Sequence, residues 1–381
     1  LSLVGSEMCI RDRPYGVSYN SYLIDDEMVA LVDTVDICYF EVYLRKIKQV
    51  IGERPINYLI INHMEPDHSG SIRLIKQHYP EIIIVGNKQT FGMIEGFYGV
   101  TGEQYLVKEG DFLALGHHKL RFYMTPMVHW PETMMTFDET DGVLFSGDGF
   151  GCFGTVDGGF LDTRINVDKY WGEMVRYYSN IVGKYGSPVQ KALQKLGGLP
   201  ISAICSTHGP VWTENIAKVI GIYDRLSRYD ADEGVVIAYG SMYGNTEQMA
   251  EAIAEELSAQ GVKNIVMHNV TKSHPSYILA DIFRYKGLII GSPTYSNQIF
   301  PEVEALLSKI LLREVKGRYL GYFGSFTWAG AAVKRLAEFA EKSKFELVGD
   351  PVEMKQAMKD LTYTQCENLA RAMADRLKKD R

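Results

Sequence analysis

From residue 234 onward the chain alternates two hydrophobic rhythms, and this constrains its fold more than any other feature. The short apolar runs VVIAYG, KNIVMHNV, GLIIGS and RYLGYFGS read as strands. Residues 246–259, 275–283, 300–313 and 330–343 repeat their apolar positions with helical spacing. Strands alternating with helices join parallel neighbours across a sheet face, so this half predicts an α/β, doubly wound parallel sheet.

The first half keeps a different pattern. Residues 15–35, YGVSYNSYLIDDEMVALVDTV, alternate apolar and polar side chains around DDE and predict a hairpin. Helical spacing follows at 38–52 and again from Gly70 to Tyr79. The runs INYLII, EIIIVGN, KLRFYM, GVLFSG and ISAICS predict strands, and a long tyrosine-rich stretch, 167–196, predicts a helix. The pattern changes at the polar segment SRYDADE, 227–233. We place one domain at 14–229, a linker at 230–233 and a second domain at 234–381. A length of 381 residues suits two domains.

The first thirteen residues, LSLVGSEMCIRDR, lack a starting Met and the basic and apolar regions of a signal peptide. They resemble a translated sequencing-adapter read-through and are set aside as non-native. The first domain is then expected to lack its native N-terminus and to expose a sheet edge.

Charge and composition exclude several classes. The net charge of −7 disfavours a nucleic-acid partner, since no basic stripe offsets it. No apolar run reaches the 18 or so residues that cross a bilayer, which argues against a membrane partner. Five cysteines are scattered without a CxxC pair, which fits thiols in a reducing cytoplasm.

Two constellations carry chemistry. In NHMEPDHSGSI, residues 62–72, His63, Glu65, Asp67 and His68 follow a predicted strand, while His129, Asp148 and His208 close three others. Strand ends of one sheet converge in space, so the seven are expected to meet. Four imidazoles and three carboxylates exceed one tetrahedral ion and suit two ions sharing a carboxylate, with Asp148 as the bridge. His78, His117, His118, His268 and His274 lie elsewhere and read as surface or satisfied histidines. Pro66 is expected to hold Glu65 out of the helical region. Tyr177 or Tyr178 is a candidate proton donor to bound substrate, against a plain packing role.

The second constellation follows VVIAYG. The turn SMYGNT, 241–246, leads into a helix expected from Glu247, where free N–H groups and the helix dipole favour a phosphate. GSPTYSNQ, 291–298, and GSFTWAG, 324–330, follow two further strands of the same sheet, and ligands bind beyond such strand ends. Tyr295 and Trp328 are placed to flank a flat ring, and Asn297 to bond its edge.

HxExDH, a later HWP, a GD after a strand and a final THGP resemble the flavodiiron proteins, and the three downstream loops resemble flavodoxins. The resemblance spans residues 14–381. It implies a metallo-β-lactamase-like αββα sandwich followed by a flavodoxin-like domain, with two irons and FMN as cofactors. By resemblance His63, Glu65 and His129 hold one iron, Asp67, His68 and His208 the other, and Asp148 bridges them; in some members the histidine at the position of His68 swings away. The FMN phosphate would lie on Ser241, Met242, Tyr243, Gly244, Asn245 and Thr246, and its ring against Pro293, Thr294, Tyr295, Asn297, Ser325, Phe326, Thr327, Trp328, Ala329 and Gly330.

Hydrolases of the same fold usually read HxHxDH and bind zinc. Glu65 in place of that second histidine adds hard anionic oxygen and lowers the potential of a redox metal, which favours iron. The resemblance implies a cytoplasmic oxidoreductase reducing dioxygen to water, nitric oxide to nitrous oxide, or both, in a head-to-tail homodimer. No CxxC pair follows the flavodoxin-like segment, so the electron donor is expected to be separate, a rubredoxin or a flavin reductase. The rivals are a zinc hydrolase of metallo-β-lactamase type with an accessory flavodoxin, and an electron carrier whose first half is scaffold.

Overall fold

A computed structural model describes residues 2–6 as backbone, and 15–156 and 158–380 with their side chains. The chain divides into two compact units, Leu1–Ser227 and Arg228–Arg381.

Among the described residues, unit one holds eleven strands in two sheets. The first contains β1 (Ser2–Ser6), β2 (Val17–Ile24), β3 (Ala30–Val32), β4 (Tyr58–Ile60), β5 (Ile83–Gly86) and β6 (Gln104–Leu106), in that order. The second contains β7 (Phe112–Ala114), β8 (Lys119–Met124), β9 (Met134–Asp138), β10 (Val143–Gly147) and β11 (Ala203–Ser206), in the order β11-β10-β9-β8-β7. The expected hairpin is β2 and β3, paired antiparallel. From β3 to β6 the strands run parallel, joined by helices Phe40–Ile51, Ile72–His78 and Lys88–Tyr98.

Apolar side chains of both sheets share one core. Tyr22, Val32, Ile60 and Val85 from the first meet Leu120, Phe122, Met134 and Phe145 from the second. Burying each such side chain contributes about 1.5–3 kcal/mol, which pins the sheets face to face.

Strands β6, β7 and β9 and helices Lys88–Tyr98 and Ile216–Ser227 have no counterpart in the sequence reading, and three further features differ from it. Residues 2–6 lie in the segment set aside, yet they pair antiparallel along β2 and cover the edge expected to be open; Cys9 and the rest of 7–14 lie outside the described residues. The expected helix at 167–196 is interrupted: Asp168–Tyr177 runs into a π-helical turn at Tyr178–Val182, a tight turn at Gly183–Tyr185, and a second helix at Gly186–Leu196. Gly183 and Gly186 are weak helix formers where the regular bonding breaks. Finally, the ligand loops leave two sheets rather than one. β4 belongs to the first sheet, while β8, β10 and β11 belong to the second.

Unit two is built around β12 (Asp232–Tyr239), β13 (Ile265–Asn269), β14 (Tyr285–Tyr295), β15 (Gln298–Ile299), β16 (Tyr319–Phe326), β17 (Glu346–Leu347) and β18 (Val352–Lys355). The main order is β13-β12-β14-β16, with β17 and β18 both on the far side of β16, and these strands are parallel. This is the 2-1-3-4-5 order of a flavodoxin-like sheet. β12 starts at Asp232, inside the segment expected to be a linker. The short β15, β17 and β18 and the last helix, Asp360–Lys378, have no counterpart in the sequence reading, although that helix buries Cys366, Leu369, Ala370, Met373 and Leu377 at helical spacing.

Arg318 anchors this unit from within. It is 1% exposed, and its guanidinium donates to the carbonyls of Tyr229, Ile282, Phe283, Lys316 and Gly317 at 2.7–3.3 Å. Burial pulls its pKa down to about 10, so it stays charged at neutral pH. Arg318→Met should leave these carbonyls unpaired and destabilise unit two by about 3 kcal/mol. Urea unfolding followed by far-UV circular dichroism reads this, and an unchanged midpoint would contradict it.

Candidate metal centre and flavin site

The seven expected ligands converge. Past β4 the chain runs through His63, Met64 and an extended Glu65 (φ −58°, ψ 139°), as the following proline requires, and then enters a one-turn helix, Pro66–Ser69, that carries Asp67 and His68. His129 lies in the loop after β8, Asp148 directly after β10, and His208 two residues after β11. Their donor atoms form two groups: His63, Glu65, His129 and Asp148, and Asp67, His68 and His208.

Asp148 spans both groups. Its Oδ2 lies 3.1 Å from His129 Nε2 and 3.7 Å from His63 Nε2, while its Oδ1 lies 3.1 Å from His68 Nε2 and 3.7 Å from His208 Nε2. Glu65 Oε2 stands 3.1 Å from His129 Nε2 and 3.4 Å from His63 Nε2. Asp67 Oδ2 stands 3.4 Å from His68 Nε2 and 3.5 Å from His208 Nε2. His63 and His68 are fully buried, whereas the Glu65 and Asp67 side chains are 38% and 23% exposed. The two carboxylates therefore line the open side of the centre.

Outer contacts orient the rings. His63 Nδ1 donates to Glu132 Oε1 at 2.9 Å, and His208 Nδ1 donates to the Ser18 carbonyl at 2.8 Å. In the neutral rings both Nε2 atoms then turn lone pairs inward. His68 Nε2 and His208 Nε2 approach to 3.0 Å. Inward lone pairs among three carboxylates form a donor set that needs positive charge at its centre, so these residues fit a pair of metal cations.

The electrostatics agree. Burial opposes charge on His63, but the Asp148 carboxylate and the hydrogen bonds to Glu132 and Glu65 hold its pKa well above the ordinary value. Burial also opposes charge on His68, yet Asp67 and Asp148 lift it to about 9. Burial and the neighbouring His68 push His208 the other way. Against burial, His68 and His63 hold Asp148 far below the carboxylate range, and hydrogen bonds from His129 and His63 do the same for Glu65. The three carboxylates thus favour positive charge at the centre.

Several neighbours escaped the sequence reading. Asp33 Oδ1 accepts the N–H groups of Asn62 and His63, Thr34 Oγ1 donates to the His68 carbonyl, and Thr207 Oγ1 donates to Asp148 Oδ1 at 2.6 Å. Ser69 Oγ donates to the Met64 and Glu65 carbonyls and bonds the Tyr98 hydroxyl. Only nearness in the chain, of Thr207 to His208, of Ser69 to His68 and of Glu132 to His129, could have pointed to any of them. The two candidate tyrosines separate: the Tyr177 ring lies 5.6 Å from that of His208, while Tyr178 packs edge-on against Tyr223. Burial and the Asp148 carboxylate push the Tyr177 hydroxyl well above the usual phenol range.

Three of the histidines set aside are occupied locally. His118 pairs with Asp138 at 2.7 Å, His268 with Asp281 at 2.8 Å, and His274 caps helix Pro275–Arg284.

In unit two, the three loops past β12, β14 and β16 gather at one end of the sheet. The first helix begins at Asn245, two residues before the expected start, behind Gly244 at φ +87°. Ser241 Oγ accepts the N–H groups of Gly244 and Glu247. Thr246 Oγ1 bonds Ser325 Oγ at 2.9 Å, and Thr294 Oγ1 accepts from the Ala331 and Ala332 N–H groups, so the loops are tied to one another. Thr294 thus serves as a helix cap. Tyr243, Tyr295 and Trp328 stand 88%, 46% and 82% exposed, and Met242, Asn297, Thr327 and Ala329 are also exposed. Pro293 is buried, Phe326 half-buried, and Gly330 lies where a side chain would strike the Glu353 carboxylate. A helix N-terminus beside exposed aromatic rings fits a phosphate joined to a flat ring, the chemistry of FMN.

Fold and site together define a metallo-β-lactamase-like domain and a flavodoxin-like domain in one chain. A family described as ODP family beta lactamase matches residues 17–209, and Flavodoxin matches 237–369. The anaerobic nitric oxide reductase flavorubredoxin of Vibrio vulnificus is 33% identical over 87% of this chain and 68% of its own. Among solved structures, rubredoxin oxygen:oxidoreductase of Desulfovibrio gigas superposes with a TM-score of 0.94 at 30% identity, covering 99% of this chain and 96% of its own. The flavodiiron protein of Giardia intestinalis gives 0.89 at 27%, covering 96% and 91%. The chain belongs to the flavodiiron proteins, oxidoreductases that carry FMN and a di-iron centre. Among the described residues no helix is long and apolar enough to cross a membrane.

Proposed function

We propose that this protein reduces dioxygen to water, nitric oxide to nitrous oxide, or both. The observation that carries the reading is Asp148, which offers one oxygen to each pair of histidines. His63, Glu65 and His129 would hold one iron and Asp67, His68 and His208 the other, with Asp148 between them. When bound, the iron pair and FMN supply the electrons that reduce the gas.

The chain's own groups do the remaining work. Thr207 and the outer contacts of His63 and His208 fix the ligands before metal arrives. Glu65 and Asp67, on the open side, border the path by which a small molecule enters. Tyr177 keeps its proton at Oη beside the centre and is placed to donate it during reduction. Tyr177→Phe should slow turnover about tenfold to hundredfold, whereas Tyr178→Phe should not.

The FMN ring would lie between the Tyr295 and Trp328 loops with its phosphate on residues 241–246. Trp328→Ala should weaken FMN binding about tenfold, measured by flavin fluorescence on titrating the apoprotein; unchanged affinity would remove Trp328 from the site. The electron donor would be a rubredoxin or a flavin reductase, and the active form a head-to-tail homodimer in the cytoplasm. Full activity in a monomer would contradict the dimer.

The deciding experiment is metal and flavin analysis of anaerobically purified protein, followed by adding oxygen or nitric oxide to the reduced form. Two irons, one FMN and rapid reoxidation are expected. Zinc without gas reduction would overturn the reading in favour of a hydrolase, and the faster gas names the substrate.

A further inference from the structure

Glu132 stands behind the metal ligands with no role in holding metal directly. Its side chain is fully buried. Oε1 accepts two hydrogen bonds, from His63 Nδ1 and from the Met64 N–H, both at 2.9 Å. Oε2 is buried and takes no hydrogen bond from the described groups. The main chain is held as firmly: Asn87 Nδ2 donates to the Glu132 carbonyl at 2.6 Å, while Asn87 Oδ1 caps helix Lys88–Tyr98. Glu132 is a fixed, buried carboxylate aimed at one ligand.

The second group of ligands has no counterpart. The outer nitrogen of His208 rests on the Ser18 carbonyl, which is neutral, and the outer nitrogen of His68 is buried without a partner among the described residues. A carboxylate acceptor makes an imidazole a stronger donor to metal than a carbonyl does. Its negative charge also acts through a poorly screening interior. Setting aside Asp148, which both groups share, and the buried Asp33, whose carboxylate acts on both His68 and His63, the first group has Glu65 and Glu132 and the second Asp67.

We infer that Glu132 makes the two metal positions unequal, so that the ion on the His63 side is the easier of the two to oxidise. The inference rests on the di-iron reading above. Its sign follows from charge: added negative charge beside one ion favours the ferric over the ferrous state there and lowers that ion's potential, which widens the gap between the two one-electron steps. Glu132 is a positioning residue, acting through His63.

The test is a stepwise reductive titration of the iron-loaded full-length protein, followed by electron paramagnetic resonance, in wild type, Glu132→Gln and Glu132→Asp. Glutamine keeps an oxygen for both N–H groups and removes the charge. The half-reduced state should become about tenfold less favoured in Glu132→Gln, a narrowing of about 59 mV between the steps. Iron(II) affinity on that side should fall about 10–100-fold. Glu132→Asp keeps the charge but draws it back from His63, so it should narrow the gap by less, and it serves if the glutamine variant does not fold. A variant that holds two irons with an unchanged gap would overturn the inference. Wild-type protein that binds no iron pair would instead overturn the di-iron reading on which it rests.

Discussion

Replacing Asp148 with asparagine should cut bound iron to about half or less and slow gas reduction at least about 100-fold, the largest loss expected from any single change. Asparagine has one oxygen where two are needed, so it can serve one ion. Its amide N–H₂ would then face the imidazole nitrogens of the other pair, where Asp148 now stands 3.1 Å from both His129 and His68. The lost negative charge compounds the effect, because four imidazoles would be left with two carboxylates on the open side. The flavin spectrum should be unaffected, since the three flavin loops belong to the other unit of the chain. Iron analysis beside the flavin absorbance checks both halves. Two irons with normal turnover in Asp148→Asn would show that another group bridges the ions.

Glu65→His is expected to change which metal is held rather than how much. The variant restores the HxHxDH pattern and exchanges a hard anionic oxygen for a borderline neutral nitrogen. Glu65 now lies 3.1 Å from His129 and 3.4 Å from His63, so the exchange falls within the first ligand group. In competitive loading the variant should favour zinc over iron by about tenfold or more relative to the parent, and any iron it keeps should have a raised potential. Elemental analysis after loading from an equimolar mixture reads the first, and a redox titration the second. An unchanged zinc-to-iron ratio would mean that availability or the outer contacts, and not Glu65, set the choice of metal.

Much of this site is legible in the amino-acid sequence, for reasons particular to its residues. Candidate ligands at strand ends follow from where apolar runs stop, and the runs before His63, Asp148 and His208 stop cleanly at β4, β10 and β11. His129 sits farther out, in a loop five residues beyond β8, and only the set of seven makes it legible. In unit two the aromatic loops stand out because each follows a strand of one parallel sheet. Thr294 is harder to read, since a hydroxyl in such a loop serves a ligand or a helix start equally well. Its bond to Ala331 and Ala332 is a contact across 37 and 38 residues.

Local chemistry along the chain thus determined the periodicities, the alternation of strands and helices in the second unit, the phosphate turn and the residue types able to bind metal, because each depends on neighbours within a few positions. Three matters were decided in three dimensions. The ligand loops come from two facing sheets that share a core; the predicted helix at 167–196 breaks where Tyr177 meets the centre and Tyr178 packs on Tyr223; and Glu132 reaches His63 across 69 residues. Each is set by packing and hydrogen bonding between segments far apart in the chain, and no spacing rule within either segment encodes which distant partner it will meet.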